Sequence, residues 1–235
     1  MSPDRPARPL VYAHRGASAA APENTVEAFV LARDMGADGV ELDARRTADG
    51  HLVVHHDAHL PDGRLVVEVA AAALPSSVPG LTEALDACGG MVVNLEIKNW
   101  PADPDFDPTM AVADAVANLA EDPRRDDDLL VSSFHWSTVD RVAELSPGTP
   151  TALLVATTDP AGALERATAR GHRAVHPWDP LVTSELVAAA HDRGLAVNVW
   201  TVDDPDRIRQ LAGLGVDGVV TNRPDVARRV LGGPG

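Results

Sequence analysis

The segment Leu10-Val11-Tyr12-Ala13-His14-Arg15-Gly16-Ala17-Ser18 decides between two architectures. Its apolar run ends abruptly in polar residues, as a buried strand does where it meets a loop. A helix-like segment follows at 24–35, and a second short run at 39–43 contains Val40-Glu41-Leu42-Asp43. This is a strand, a crossover helix and a parallel strand. An open doubly wound sheet would carry a G-x-G-x-x-G turn after its first strand. His14-Arg15-Gly16-Ala17-Ser18 is no such turn.

The same alternation runs to the end of the chain. Strand-like runs fall at 10–13, 39–43, 91–97, 129–133, 151–155, 174–176, 196–200 and 217–221. Helices are expected at 24–35, 81–88, 108–121, 136–145, 159–170, 183–193, 204–213 and 224–231. Eight such units in 235 residues predict a (β/α)8 TIM barrel, a fold that typically needs about 250 residues. We therefore expect a single domain over 1–235, its core at about 10–231, with at most a very small insertion after the second strand.

The punctuation agrees. Arg170-Gly171, Arg193-Gly194 and Leu214-Gly215 place glycine just past expected helix ends, each followed closely by a strand. Gly36-Ala37-Asp38-Gly39-Val40-Glu41 and Gly215-Val216-Asp217-Gly218-Val219-Val220 echo each other, which reads as shared turn chemistry. Asn24 with Glu27 resembles a capping box behind Pro22. The stretch 100–108 reads as a loop and 232–235 as a frayed tail.

Composition narrows the function classes. A formal charge of -15 leaves no basic stripe for nucleic acid. It also means that an anionic substrate has to be drawn in by local cations against the overall field. No run approaches about 18 apolar residues, and the first residues lack the apolar core of an export signal, so a cytoplasmic protein without stable membrane insertion is expected. The one cysteine, Cys88 between Leu85 and Met91, reads as buried packing.

In a barrel the reactive face lies at the C-terminal ends of the strands. The first run ends at His14. In the second, Glu41 and Asp43 stand two apart and share a face. In the third, Asn94, Glu96 and Lys98 share a face, and in the seventh Asn198 and Trp200 do. Placing polar groups on the inner face is costly unless they pair or bind something.

Glu41, Asp43 and Glu96 are hard oxygen donors with no cysteine nearby, and three converging carboxylates repel unless a cation sits among them. One magnesium or calcium ion suits them better than zinc. The alternative is a salt-bridge network in which Lys98, Arg45 and Arg15 neutralise the acids. Among the nine histidines, His14 stands at a strand end. His55 and His56 lie on opposite faces of an alternating segment, and periodicity does not choose between them. His135 and His176 follow later strands and are candidates for the mouth. His51, His59, His172 and His191 read as surface or satisfied residues. Acids, imidazoles and cations in one mouth suit phosphate ester chemistry, which needs charge neutralisation and proton transfer at two oxygens.

Taken in order, His14-Arg15-Gly16, Pro22-Glu23-Asn24-Thr25, Glu41-Leu42-Asp43, His56-Asp57, Leu95-Glu96-Ile97-Lys98 and Val199-Trp200-Thr201-Val202 resemble the glycerophosphodiester phosphodiesterase family, over nearly the whole chain. The resemblance implies a TIM barrel that hydrolyses glycerophosphodiesters to glycerol 3-phosphate and an alcohol with a divalent cation, as part of lipid and glycerol metabolism. It implies that His14 and His56 are the acid–base pair. It implies Glu41, Asp43 and Glu96 as metal ligands, and Arg15 and Lys98 as phosphate contacts. Trp200 resembles the family's aromatic wall for the glycerol unit, and Glu23 and Asn24 match the motif at the site margin.

Two positions depart from the family pattern. Asp203 stands where Asn is frequent, and Asn222 where Asp is frequent. Both are expected to affect substrate preference or loop packing more than the reaction. The segment 57–80 is brief and rich in Ala and Val, which suggests a small cap or none and an open site. Phospholipase D-like action on lysophospholipids is the nearest alternative activity. A metal-dependent enzyme on another ester or sugar, and a non-catalytic binder of phosphorylated ligands, are further alternatives.

Overall fold

The computed structural model describes residues 7–123, 128–156 and 159–232. Of the expected frayed tail, residues 233–235 lie outside them. Eight parallel strands close on themselves: β1 (Leu10–His14), β2 (Gly39–Arg46), β4 (Val92–Ile97), β5 (Leu129–Ser133), β6 (Thr151–Val155), β7 (Ala174–Pro177), β8 (Ala196–Val199) and β9 (Gly218–Thr221). The order runs β1-β9-β8-β7-β6-β5-β4-β2, and pairing of β1 with β2 shuts the barrel. The helices are α1 (Val26–Asp34), α2 (Leu81–Ala87), α3 (Ala111–Ala120), α4 (Trp136–Leu145), α5 (Pro160–Arg170), α6 (Ser184–His191), α7 (Pro205–Leu214) and α8 (Pro224–Gly232). This is the expected TIM barrel.

One strand was not foreseen. β2 runs on to Arg46 and turns back through β3 (Leu52–Val54), which pairs with it antiparallel, Ala44 opposite Val54. Beyond β3, residues 57–80 form the small insertion that was expected. Val66–Glu68 and Ala71–Ala73 make single 3-10 turns, and Leu60, Val66 and Val69 close a satellite cluster over Val53.

The core lies between barrel and helices in two clusters. Leu42, Leu95, Ile97 and Val131 meet Phe29, Leu81, Leu85 and Val116 on one side. Leu153, Val175, Val197 and Val219 meet Leu164, Val187, Ile208 and Leu211 on the other. Outward-facing strand residues are thus apolar, which frees the alternate positions to face the barrel axis. Cys88 packs in the first cluster and belongs to no disulfide.

The helix boundaries follow local chemistry. Asp204 caps α7, accepting from the backbone N–H of Asp206 and Arg207, with Pro205 at the first helical position. Gly171 and Gly215 close α5 and α7 in the left-handed region. At α1 the capping expectation is corrected: Thr25, not Asn24, is the N-cap, its side chain accepting from the N–H of Ala28. The two echoing junctions do one structural task. Asp38 accepts from the N–H of Val11, and Asp217 from that of Val197, each at 2.8 Å, so each carboxylate anchors a neighbouring strand at the base of the barrel.

Candidate active site

Strand register assembles the mouth. His14 lies beside Glu41, Glu41 beside Asn94, and Asp43 beside Glu96. Because facing residues in a parallel ladder share a side, the acids converge at the C-terminal ends of β1, β2 and β4. One carboxylate oxygen from each of Glu41, Asp43 and Glu96 lies within 4.8 Å of the others, and all three residues are buried.

Two cations enter this cluster. Lys98 Nζ reaches Asp43 Oδ1 at 2.9 Å and Glu96 Oε1 at 2.5 Å. The Arg15 guanidinium lies 3.3 Å from Asp43 Oδ2 and donates to Glu23 at 3.0 Å. Arg15 sits in the left-handed region, φ 56°, and its own N–H donates to Glu41 Oε2 at 2.9 Å. Asn24, also left-handed and buried, donates from Nδ2 to Asp43 Oδ2 at 2.7 Å. Arg45 does not join them. It holds Asp105 and Asp103, and donates twice to the His56 carbonyl, fixing that loop.

The acids are therefore unequally served. Burial alone would raise Asp43, but Lys98 and Arg15 overcome it and hold its carboxyl well below the usual range. Burial and then the neighbouring Asp43 and Glu96 push Glu41 far up, and burial raises Glu96 despite Lys98. Glu41 Oε1 is buried with no hydrogen-bond partner. An orphaned carboxylate oxygen among hard oxygen donors fits a divalent cation, which would neutralise the acid that forms no ion pair with the Lys98 or Arg15 side chain. The salt-bridge network alone does not offset the burial of Glu41 and the repulsion of its neighbouring acids.

Two imidazoles flank the acids. Burial, then Arg15, lowers the His14 pKa, and burial, then Lys98, lowers that of His56, so both favour the neutral form. His14 Nδ1 lies 2.7 Å from Asn222 Oδ1. Asn222 Nδ2 donates to Asp203 at 2.7 Å, which turns its carbonyl toward His14. The proton of neutral His14 therefore sits on Nδ1 and leaves Nε2, 3.9 Å from Glu41, with a lone pair. His56 Nδ1 likewise faces the Asp57 carboxylate at 2.7 Å. His55 turns away to the Asp57 carbonyl and a side groove by Pro22 and Pro75. Of the two candidates only His56 faces the acids.

A cavity of about 140 Å³ lies between His14, Glu41, Glu96, Lys98, His56 and Trp200. Beside it opens a vestibule of about 940 Å³, walled by Trp100, Phe134, His135 and Trp136. Of four tryptophans and three phenylalanines, all but Phe29 gather at this end. Phe134 meets Trp200 edge to face at 5.3 Å and Trp100 at 6.4 Å. Trp200 Nε1 donates to the His176 carbonyl, and the Trp200–Thr201 peptide is cis.

The residues given roles by the resemblance, His14, Arg15, Asn24, Glu41, Asp43, His56, Glu96, Lys98 and Trp200, lie at this mouth, with Glu23 at its exposed margin through Arg15; Arg45 and His55 do not. His135 lines the vestibule and His176 the cavity floor. His172 and His191 are held by Asp140 and Asp217. The sequence pattern assigns Asn222 and Asp203 to substrate preference or loop packing more than to the reaction, yet they orient His14. Their mutual departure from the family pattern was the available signal.

A closed barrel whose mouth gathers buried acids between two imidazoles places the chain among the TIM-barrel hydrolases. The family model of the glycerophosphoryl diester phosphodiesterases matches residues 14–226, and the chain belongs to that family. It is 28% identical over 243 residues to a glycerophosphodiester phosphodiesterase of Caldanaerobacter subterraneus subsp. tengcongensis, covering 92% of this chain and 95% of that one. It is 30% identical over 249 residues to one of Bacillus altitudinis, covering 94% and 97%. The crystal structure of a glycerophosphoryl diester phosphodiesterase from Silicibacter pomeroyi superposes with a TM-score of 0.84 at 28% identity, covering 96% and 93%. An Oleispira antarctica phosphodiesterase in complex with its product sn-glycerol-3-phosphate superposes at 0.85 and 26%, covering 95% and 96%. No helix among the described residues is long and apolar enough to cross a membrane.

Proposed function

We propose that this enzyme hydrolyses glycerophosphodiesters to glycerol 3-phosphate and an alcohol in a metal-dependent reaction, as a cytoplasmic enzyme of lipid and glycerol metabolism. The observation that carries the reading is the buried Glu41, Asp43 and Glu96 cluster set between two imidazoles, each with its Nδ1 held. Glu41, Asp43 and Glu96 would hold a magnesium or calcium ion, which would supply Lewis-acid polarisation of a phosphoryl oxygen. Arg15 and Lys98 spread the remaining phosphate charge. One imidazole takes a proton from the attacking oxygen as its bond to phosphorus forms. The other has to enter the step as the imidazolium and gives its Nε2 proton to the departing alkoxide as the ester bond breaks; the two rings end with their protonation states exchanged and reset through solvent. Trp200 walls the glycerol unit, while Glu23 and Asn24 act through Arg15 and Asp43.

The test is release of glycerol 3-phosphate from glycerophosphocholine, measured before and after chelation, with magnesium and calcium then restored separately. Undiminished release after full chelation rejects the metal's part. A second reading, action on lysophospholipids, draws on the aromatic vestibule, where Trp100 is exposed, and on Trp178, exposed beside Trp200. Faster turnover of lysophosphatidylcholine than of glycerophosphocholine would favour it.

A further inference from the structure

The two imidazoles are not secured alike. Behind His14, Asn222 is itself fixed by Asp203. Behind His56, the Asp57 carboxylate is 74% exposed, and a contact so open to water holds a ring only weakly. His56 also stands just past β3, where the last rung of the hairpin pairs Ala44 with Val54 and the N–H of His55 donates to the Asp43 carbonyl at 2.9 Å. The ladder stops there. A side chain meets the His56 carbonyl instead: Arg45 donates to it from Nη2 at 2.6 Å and from Nε at 2.9 Å. The third guanidinium nitrogen, Nη1, donates to Asp105 at 2.5 Å, and Asp103 lies 3.4 Å from Nη2.

We propose that Arg45 is a positioning residue for the reaction, locking the turn that carries His56 onto the loop of residues 100–108 so that the imidazole stays presented to the acids. This rests on the proton-transfer role given to His56 above and names what fixes that ring. The clamp is anchored at both ends. Arg45 is 4% exposed on β2, and the Asp105 side chain is 7% exposed. The loop of Asp105 is tied down in turn by Asn99, whose amide donates to the Asp107 carbonyl at 3.1 Å and whose oxygen accepts from the Asp107 N–H at 2.8 Å. A guanidinium is the group this needs, because one planar fork serves a carbonyl with two nitrogens and a carboxylate with the third. A lysine ammonium is a single compact charge and does not span both. Stability does not account for the arrangement, since a buried ion pair does no better than well-packed apolar side chains. Displacing a proton-transfer group by about 1 Å costs about 100-fold in rate without any loss of substrate contact, and that displacement is what Arg45 prevents. The same loop walls the vestibule through Trp100 and Asp103, so the clamp joins that wall to the ring beside it.

Steady-state hydrolysis of glycerophosphocholine by the full chain in magnesium tests this, with Arg45→Lys and with Arg45→Met combined with Asp105→Asn, each also made in the His56→Ala background. The combined variant removes both charges, so Asp105 is not left as a lone buried carboxylate. Both variants should lower kcat about 10- to 100-fold and keep KM within about twofold of the wild type. In the His56→Ala background the same changes should lower kcat by less than about twofold, because the ring they place is gone. Comparing backgrounds remains decisive where a variant is less stable, since the same destabilisation is present in both. An equal loss of kcat in the two backgrounds overturns the proposal and assigns Arg45 to loop structure alone. Unchanged kcat in both variants also overturns it, while sparing the role of His56. Near-normal turnover by His56→Ala itself rejects that role and the proposal together.

Discussion

His14 and His56 are held by different partners, an amide oxygen behind one ring and a carboxylate behind the other. His14→Ala and His56→Ala should each lower turnover about 100- to 10,000-fold with an unchanged melting curve; near-normal rates would exclude that ring from proton transfer. Asn222→Ala should lower kcat and change KM little, since it frees the ring without removing a substrate contact. A loss confined to KM would reassign Asn222 to binding. His176 is fully buried, and burial pulls its pKa from 6.5 down to about 3. The unfolded chain thus takes up a proton at higher pH than the folded one. The stabilising contribution of neutral His176 is complete above about pH 6.5 and erodes as pH falls toward 3, by at most about 1.4 kcal/mol per pH unit. His176→Gln should flatten this acid decline in chemical denaturation; an unaltered slope would assign the decline to other groups.

At the scale of elements, periodicity was enough to locate the strands and helices, because outward apolar positions repeat along each one. What it could not reach was contact between elements. β2 was read as ending at Asp43, since the hairpin with β3 depends on pairing, which local pattern does not carry. Asn24 was read as a cap because its chemistry suits one, yet its amide is drawn to the Asp43 carboxylate and the cap passes to Thr25. Strand glycines have a similar hidden reason. A Cβ on Gly39 would stand 2.5 Å from the Tyr12 ring and 2.7 Å from the Val92 carbonyl oxygen. Gly39→Ala should therefore cost about 1–3 kcal/mol by overpacking, read as a lower denaturant midpoint with unchanged slope. A neutral outcome would show that Tyr12 gives way.

At the scale of the molecule, closure of the sheet concentrates acids that a linear chain keeps apart. That concentration is a stability cost until a cation joins it. Magnesium or calcium at about 100 times its dissociation constant should add about 2.7 kcal/mol, a rise of about 5–10 °C in melting temperature. Glu41→Gln should stabilise the metal-free protein and abolish the response. A full rise in that variant would place the cation elsewhere.

The amino-acid pattern by itself determined the barrel, the acids at its strand ends and the family motifs, because alternation and spacing are properties of the chain alone. Periodicity left His55 and His56 open and the resemblance chose His56; only the tertiary structure decided that Asn222 and Asp203 orient His14, and that Asn94 Oδ1 and His176 Nδ1 are buried without a partner. Those outcomes turn on where side chains far apart in the chain, 208 residues in the case of His14 and Asn222, are brought together by closing the sheet, and no local regularity records that.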